Sequence, residues 1–390
     1  MPAAGQSAVV VGGSIGGLTA ALLLRDAGWE VDVYERSSVL LEGRGGGIVL
    51  HPATIRYLVG RAGAAPGELG VPVTWVRYVD RDGRVAHRRP CRFRFTSYDV
   101  LYRRLLDCYG LGRYHLGEEC IGLDDPGSPI PAFASGLLAP ADLVVFADGI
   151  NSIGRRLIDP DARPRYAGYI AWRGTLDEGR VDAAVLEALA DAITYHVLPD
   201  GHGITYPIPG RLRNWLWYWN VQPGGELEEL LTGDDGTRFT TSVPRGHVRP
   251  DLLAELTLRT KERLPPALAE ILAATPEPFI QVIFDLAVER TASGRACVIG
   301  DAAFTARPHV AVGTAKAAED AWTLAAAVAD GRGDVERALL AWSQRQIELG
   351  AATVARSREA GARLQNGTWP VGDPLPYGLY RVGDSELADD

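Results

Sequence analysis

The sequence lacks an excess of positive charge: 40 lysines and arginines face 49 aspartates and glutamates, for a formal net charge of −9. Such a balance has no general attraction for phosphate backbones, which excludes nucleic acid as a partner. Lysine itself is scarce, with only Lys261 and Lys316 in the chain. A compositional bias toward arginine explains this without a function. Cysteine is sparse too. Cys91, Cys108, Cys120 and Cys297 lie far apart, with no C-x-x-C pair and no zinc spacing, so they read as buried thiols of a reducing compartment. No metal site is expected. Only residues 8–24 form a long uncharged run, and Gly12, Gly13, Gly16 and Gly17 interrupt it without a basic segment before it. This argues against a signal peptide or membrane span and for a soluble, cytoplasmic protein. There is no internal repeat. With 390 residues, 46% hydrophobic and 23% charged, the chain has a globular composition and length for roughly two to three domains.

The first strong pattern lies in residues 8–36. An apolar run at 8–11, suited to a buried parallel strand, leads into Gly12-Gly13-Ser14-Ile15-Gly16-Gly17. Good helix formers follow over 18–27 until Gly28 stops them, and a second strand at 31–34 ends in Glu35-Arg36. This order predicts a dinucleotide turn. Its glycines permit the tight turn, and the helix amino terminus offers free N–H groups to a pyrophosphate. Glu35, 23 residues after Gly12, is placed to accept hydrogen bonds from ribose hydroxyls, or else is simply a solvated strand end. Ser14 stands where the second glycine of G-x-G-x-x-G would be.

Three later segments favour an extended FAD over a nicotinamide cofactor. A glycine loop, Gly43-Arg44-Gly45-Gly46-Gly47-Ile48, follows the first unit closely. Residues 141–152 form a buried strand running into Asp148-Gly149, and residues 296–303 another running into Gly300-Asp301. An aspartate after a buried strand can accept from a ribityl hydroxyl while the adjacent glycine lets the chain turn. A helix beginning near Gly313-Thr314 would aim its positive end at the pyrimidine edge of a flavin.

The glycine turn ending at Gly17, then Asp148-Gly149, then Gly300-Asp301 resemble the signatures of the single-component FAD-dependent aromatic hydroxylases with the p-hydroxybenzoate hydroxylase fold. The likeness runs from about residue 8 to about residue 364. Residues 95–99, 166–169, 172–174, 206–211, 217–220 and 307–309 resemble most the dihydroxypyridine hydroxylases of that family. Four positions depart from its usual pattern. Tyr98 stands for an arginine, Phe304 for a histidine, and Phe146 and Val310 for glycines.

The resemblance implies an α/β fold, a Rossmann-like FAD-binding domain with an inserted mixed β-sheet substrate domain. Residues 1–70, 97–164 and 280–332 would form the first, and 71–96 with 165–279 the second. A terminal helix at 333–364 and an extended tail at 365–390 would close the chain. It also implies FAD contacts at Gly12, Ser14, Ile15, Gly17, Glu35, Arg36, Arg44, Tyr98, Ile121, Asp148, Asp301, Pro308, Ala311, Gly313 and Thr314.

The texture of 165–222 is aromatic and β-branched, and 71–87 reads as a hairpin turning at Asp82-Gly83. Alternation over 214–220 puts Trp215, Trp217 and Trp219 on one face, either as sheet core or as the wall of a dry pocket, with Trp217 and Trp219 as substrate contacts. His202 and Tyr206 are candidates to bond a substrate hydroxyl and take its proton, and His309, after Pro308, is another. Arg307 and Pro308 are expected beside the substrate. Arg173 and Arg211 could bind an anion or pair with carboxylates, and His51 reads as structural.

The expected activity is monooxygenation of an electron-rich, hydroxylated aromatic or N-heteroaromatic ring. In the family NAD(P)H reduces FAD, and O2 then forms the flavin C4a-hydroperoxide that the ring attacks. No second dinucleotide motif is visible, which suits a transient nicotinamide. Rival readings are a tailoring oxygenase for a larger phenol or polyketide, and a flavin-binding protein without catalysis. A tryptophan-halogenase likeness fails because that class needs a lysine in its amino-terminal third. A monomer or homodimer is expected.

Overall fold

The computed structural model describes residues 5–43, 46–125, 128–331 and 333–387, built around two large sheets. The smaller sheet has six strands. Ser7–Val11 is central, between parallel Glu30–Glu35 and Leu143–Phe146. Tyr114–Leu116 extends one side and Ala296–Val298, then antiparallel Ala292–Ser293, the other. The central strands Ser7–Val11, Leu143–Phe146 and Ala296–Val298 are nearly unbroken apolar runs because both faces are covered, one by helices and the other in part by the hairpin of Cys120–Asp125 and Ser128–Phe133. The glycine turn feeds helix Ile15–Asp26, which packs on helix Gly313–Asp330. A side chain at Gly16 would stand 3.1 Å from the Ala317 methyl, so small residues set how closely these helices approach.

The larger sheet has ten strands. From one edge it runs Ser242–Val243, Phe279–Ala287, Arg165–Asp177, Leu212–Asn220, Gly201–Ile208, Ala192–Leu198, Val71–Val79, Val85–Ser97 and Gly47–Val49, with Phe304–Thr305 paired to Phe279–Ala287. All neighbours are antiparallel except Ala192–Leu198 on Val71–Val79. Three strands cross the partition expected from the sequence. Gly47–Val49 pairs with Phe95, Thr96 and Ser97, Phe279–Ala287 pairs along Arg165–Asp177, and Phe304–Thr305 pairs with Leu286 and Ala287, so all three belong to the large sheet.

The two faces of this sheet are covered differently. Helices Pro250–Arg263 and Pro266–Ala273 bury Trp172, Trp215, Trp217 and Trp219 in one apolar cluster. On the other face Tyr206, Leu216 and Tyr218 pack with Val310, Val312 and the end of the long helix Val335–Gln365. The tail was expected to be extended; instead it docks on this second face. Leu375, Tyr377 and Leu379 are buried, the Tyr377 and Tyr195 hydroxyls lie 2.6 Å apart, and the Asp384 carboxylate accepts the N–H groups of Leu379, Tyr380 and Arg381. Proline and glycine in this segment prevent helix and strand but not burial of its aromatic residues. Among the described residues no helix is long and apolar enough to cross a membrane.

Candidate active site

The nucleotide end is a cleft of about 240 Å³ lined by Gly12, Ser14, Glu35, Arg36, Asp148 and Arg156 among others. Its turn is packed on three sides. Gly12 has φ +102°, and a side chain there would stand 2.5 Å from the Ala147 carbonyl oxygen. One at Gly17 would strike the Gly12 carbonyl, and one at Gly13 the Tyr114 hydroxyl. Glu35 is buried rather than solvated. Its Oε2 accepts the Gly13 N–H and its Oε1 the Ser37 N–H, both at 2.9 Å, so it braces the turn while keeping spare lone pairs.

Two carboxylates are left short of donors. Asp148 Oδ2 accepts the Ile153 N–H at 2.7 Å, but Oδ1 is buried without a partner, and burial raises the pKa of the group. Asp301 has accessible surface, yet protein crowds its carboxyl enough to push its pKa up to about 6, as on a concave wall. No described residue donates to it. Acceptors without donors at the ends of two parallel strands, next to a free helix amino terminus, suit the hydroxyls and pyrophosphate of FAD. The residues present fit the cofactor.

Two departures from the family pattern meet each other here. The Ser14 and Tyr98 hydroxyls lie 2.9 Å apart, with Tyr98 opening helix Tyr98–Tyr109 behind the Ser97 cap. Two others are matched by glycines. A side chain at Gly154 would collide with the Phe146 ring, and one at Gly350 with Phe304. Val310 is buried in the second-face cluster. Arg44 lies outside the described residues. Ile121, expected at the cofactor, is 59% exposed, while Cys120 lines the cleft; strand alternation sends the two side chains to opposite sides.

The segment 307–314 links the cleft to the large sheet. Pro308–Val310 is a short 3₁₀ turn, and Ala311 adopts a left-handed conformation at φ +56°. The ring of His51, buried and with its pKa lowered to about 4 by that burial, meets the Ala311 carbonyl at 2.7 Å. Helix Gly313–Asp330 then begins, with Thr314 Oγ1 3.4 Å from Thr54 Oγ1. Lys316 is buried and paired with Asp320, whose other oxygen accepts the Gly300 N–H at 2.9 Å.

The candidate catalytic residues divide into two groups. Tyr206 stands at one end of strand Gly201–Ile208, stacked on Phe95 at 4.2 Å and against Gly47. His202 lies four residues back on the same face, roughly 13 Å away at about 3.3 Å per residue. His202 and His309 are fully buried, with ring centroids 5.1 Å apart. His309 Nε2 lies 2.8 Å from the Tyr169 hydroxyl, and His202 Nδ1 lies 3.1 Å from the Gln365 side-chain Oε1. Burial lowers the pKa of His202 to about 3 and that of His309 well below the ordinary range, so both rings are neutral near pH 7.

Three expected substrate contacts are placed elsewhere. Trp217 and Trp219 lie under the helices on the far face, because their strand alternates and the apolar side goes to the thicker core. Arg307 is committed: its Nε and NH2 donate to Asp285 Oδ2 at 3.0 and 2.8 Å, and Arg358 holds the other oxygen. Burial would raise the Asp285 pKa, but hydrogen bonds from Arg358 and Arg307 outweigh it and hold the carboxyl low. Arg211 is an exposed turn residue at φ +58°.

Sequence reasoning missed Asn214. It is 1% exposed; its Oδ1 accepts the Gly47 N–H at 2.8 Å and its Nδ2 is buried with no partner. The signal was available, since Asn214 alternates with the tryptophans and must face the opposite way.

Comparisons with known proteins agree with this geometry. A family model described as FAD binding domain-like matches residues 166–285. A 2,6-dihydroxypyridine 3-monooxygenase of Paenarthrobacter nicotinovorans is 40% identical over 97% of each chain. The solved structure of 2,6-dihydroxypyridine-3-hydroxylase from Arthrobacter nicotinovorans superposes with a TM-score of 0.93 at 39% identity, covering 98% of each chain. A more distant likeness in fold is Klebsiella pneumoniae HpxO, solved with FAD and uric acid, with a TM-score of 0.78 at 23% identity over 92% of this chain and 89% of that one.

Proposed function

The chain belongs to the single-component FAD-dependent aromatic hydroxylases, and from that premise we propose that its substrate is a small, planar, dihydroxylated N-heteroaromatic ring of the 2,6-dihydroxypyridine kind. The enzyme is a monooxygenase that uses NAD(P)H and O2. Bound FAD would carry reducing equivalents from NAD(P)H and activate O2. Gly12, Ser14, Asp148 and Asp301 would hold it, with Glu35 bracing the turn and the amino terminus of helix Gly313–Asp330 facing the ring end.

The observation that carries the substrate reading is the polar corner where Tyr206 and Asn214 face Gly46 and Gly47. Tyr206 has its pKa pushed up to about 12 by burial, with the charge of Arg173 pulling the other way. At neutral pH it is an un-ionised hydroxyl that bonds a ring oxygen and passes a proton on rather than storing one. Asn214 has a spare N–H pair for the same ring. Phe95, Ile204 and Leu216 form apolar walls that exclude water. The neutral His202 and His309 shape the floor of this face without reaching its Tyr206 end. We place the protein in the cytoplasm, a reading supported by four unpaired cysteines, and expect a monomer or homodimer.

The test is NADH and NADPH oxidation by FAD-loaded protein with and without 2,6-dihydroxypyridine, following oxygen uptake and peroxide. Strong stimulation with little peroxide is expected. Stimulation with stoichiometric peroxide would make the ring an effector, and no stimulation would discard this substrate.

A further inference from the structure

On the second face of the large sheet two guanidinium groups stand together with no carboxylate between them. Arg173, on strand Arg165–Asp177, donates from NH1 to the neutral Gln281 Oε1 at 2.5 Å. Arg245, two residues beyond Ser242–Val243, donates from NH2 to the Thr175 hydroxyl at 3.3 Å. Both bracket one ring, their Cζ atoms 5.8 and 5.1 Å from the Phe279 centroid. Neither forms an ion pair among the described residues, and the Nε of each is buried without a partner. Burial lowers the pKa of Arg245 and Arg173 lowers it further, while Asp99 and Glu277 attract it without contact.

A partly buried pair of like charges is unfavourable unless an anion joins it. The surroundings are arranged to receive one. Asn214 Nδ2 is an unpartnered donor in a nearly sealed side chain, and the buried Tyr206 side chain stands beside it on the paired strand. Gly46 and Gly47 close over the group. A side chain at Gly46 would strike the Arg173 guanidinium and stand 3.2 Å from Asn214 Oδ1, and one at Gly47 would stand 2.8 Å from the Tyr206 hydroxyl.

We propose that Arg173 and Arg245, with Asn214 and Tyr206, form an oxyanion subsite that selects aromatic rings carrying a negatively charged oxygen. The proposal rests on the reading that this face receives the substrate. The oxyanion is either an ionised ring hydroxyl or a carboxylate on the ring, and both present an acceptor to the same donors.

The test is equilibrium binding to oxidised, FAD-loaded protein without NAD(P)H, followed by flavin absorbance or calorimetry. The probes are 2,6-dihydroxypyridine, its uncharged 2,6-dimethoxy ether, and benzoate. In Arg245→Gln and Arg173→Gln at least one anionic probe should bind ten-fold or more weakly, while the ether changes less than two-fold. Arg245→Lys, which keeps the charge, should recover most of the loss, and that recovery separates charge recognition from misfolding. A loss confined to 2,6-dihydroxypyridine assigns the ionised ring oxygen, and one confined to benzoate assigns a carboxylate. Anionic probes that bind no tighter than the ether, or that stay within two-fold in Arg245→Gln, overturn the subsite. So does failure of both anionic probes to bind the parent protein. Arginine-dependent benzoate binding in a parent that ignores 2,6-dihydroxypyridine keeps the subsite and discards the substrate.

Discussion

The strand Leu212–Asn220 sends Trp215, Trp217 and Trp219 to one face of the large sheet and Asn214, Leu216 and Tyr218 to the other. On the tryptophan face the packing is helix on sheet, and the indole N–H groups of Trp172 and Trp219 are buried without partners. Gly174 leaves room for the Trp215 ring, and the Trp215 indole N–H donates to Thr275 Oγ1 at 2.8 Å. On the opposite face, buried donors and acceptors at Asn214, His202, His309 and Arg173 are left unpartnered. Such atoms cost stability unless something binds them. The faces differ in kind: one leaves isolated indole N–H groups inside an apolar core, and the other gathers amide, imidazole and guanidinium groups that a ligand can satisfy.

Trp217→Ala would break this division most severely. It should cost about 3–5 kcal/mol, the usual loss for emptying a buried aromatic site, read from the denaturant midpoint. The affinity of the folded fraction for 2,6-dihydroxypyridine should not move; a change in that affinity without loss of stability would put the tryptophans in the site. On the other face, Tyr206→Phe should lower kcat by about 100-fold, near 2.7 kcal/mol, while the unfolding midpoint holds. Unchanged turnover would retire Tyr206 from the chemistry.

The smallest effect is in pH. His202 is neutral in the fold, with a pKa near 3 against an ordinary 6.5, so protons favour the unfolded chain below pH 6.5. Its contribution is complete above that value and is lost as pH falls. At pH 5.5 the loss is about 1.4 kcal/mol, one pH unit below the unfolded pKa. Thermal melting of the parent and of His202→Asn from pH 7.5 to 5.5 should therefore converge toward the acid end. Parallel curves would show that His202 is not held neutral.

The nucleotide end was legible in the sequence because its bonds are local. Gly12, Gly17 and Glu35 act within one strand–turn–helix–strand unit, and their spacing follows from that unit. Asp148 and Asp301 were legible for a similar reason, each closing a short apolar run at a strand end. The substrate end was not. Alternation shows that Trp217 and Tyr218 point oppositely, but it does not say which side meets the cofactor. Arg173, Asn214, Arg245 and Gln281 come from four separate strands or connections and share no spacing. The commitment of Arg307 to Asp285 was invisible too, since 22 positions separate them.

The contact between Ser14 and Tyr98 also bears on recombination. Each residue alone is a blemish in a motif; together they are one unit, joined across 84 positions. A chimera joined to a relative between residues 14 and 98 would separate them, leaving a hydroxyl facing an arginine or a tyrosine facing a glycine. The pairs Phe146 with Gly154 and Phe304 with Gly350 forbid shorter intervals in the same way. Crossovers placed at 99–145 or 155–303 keep all three pairs intact.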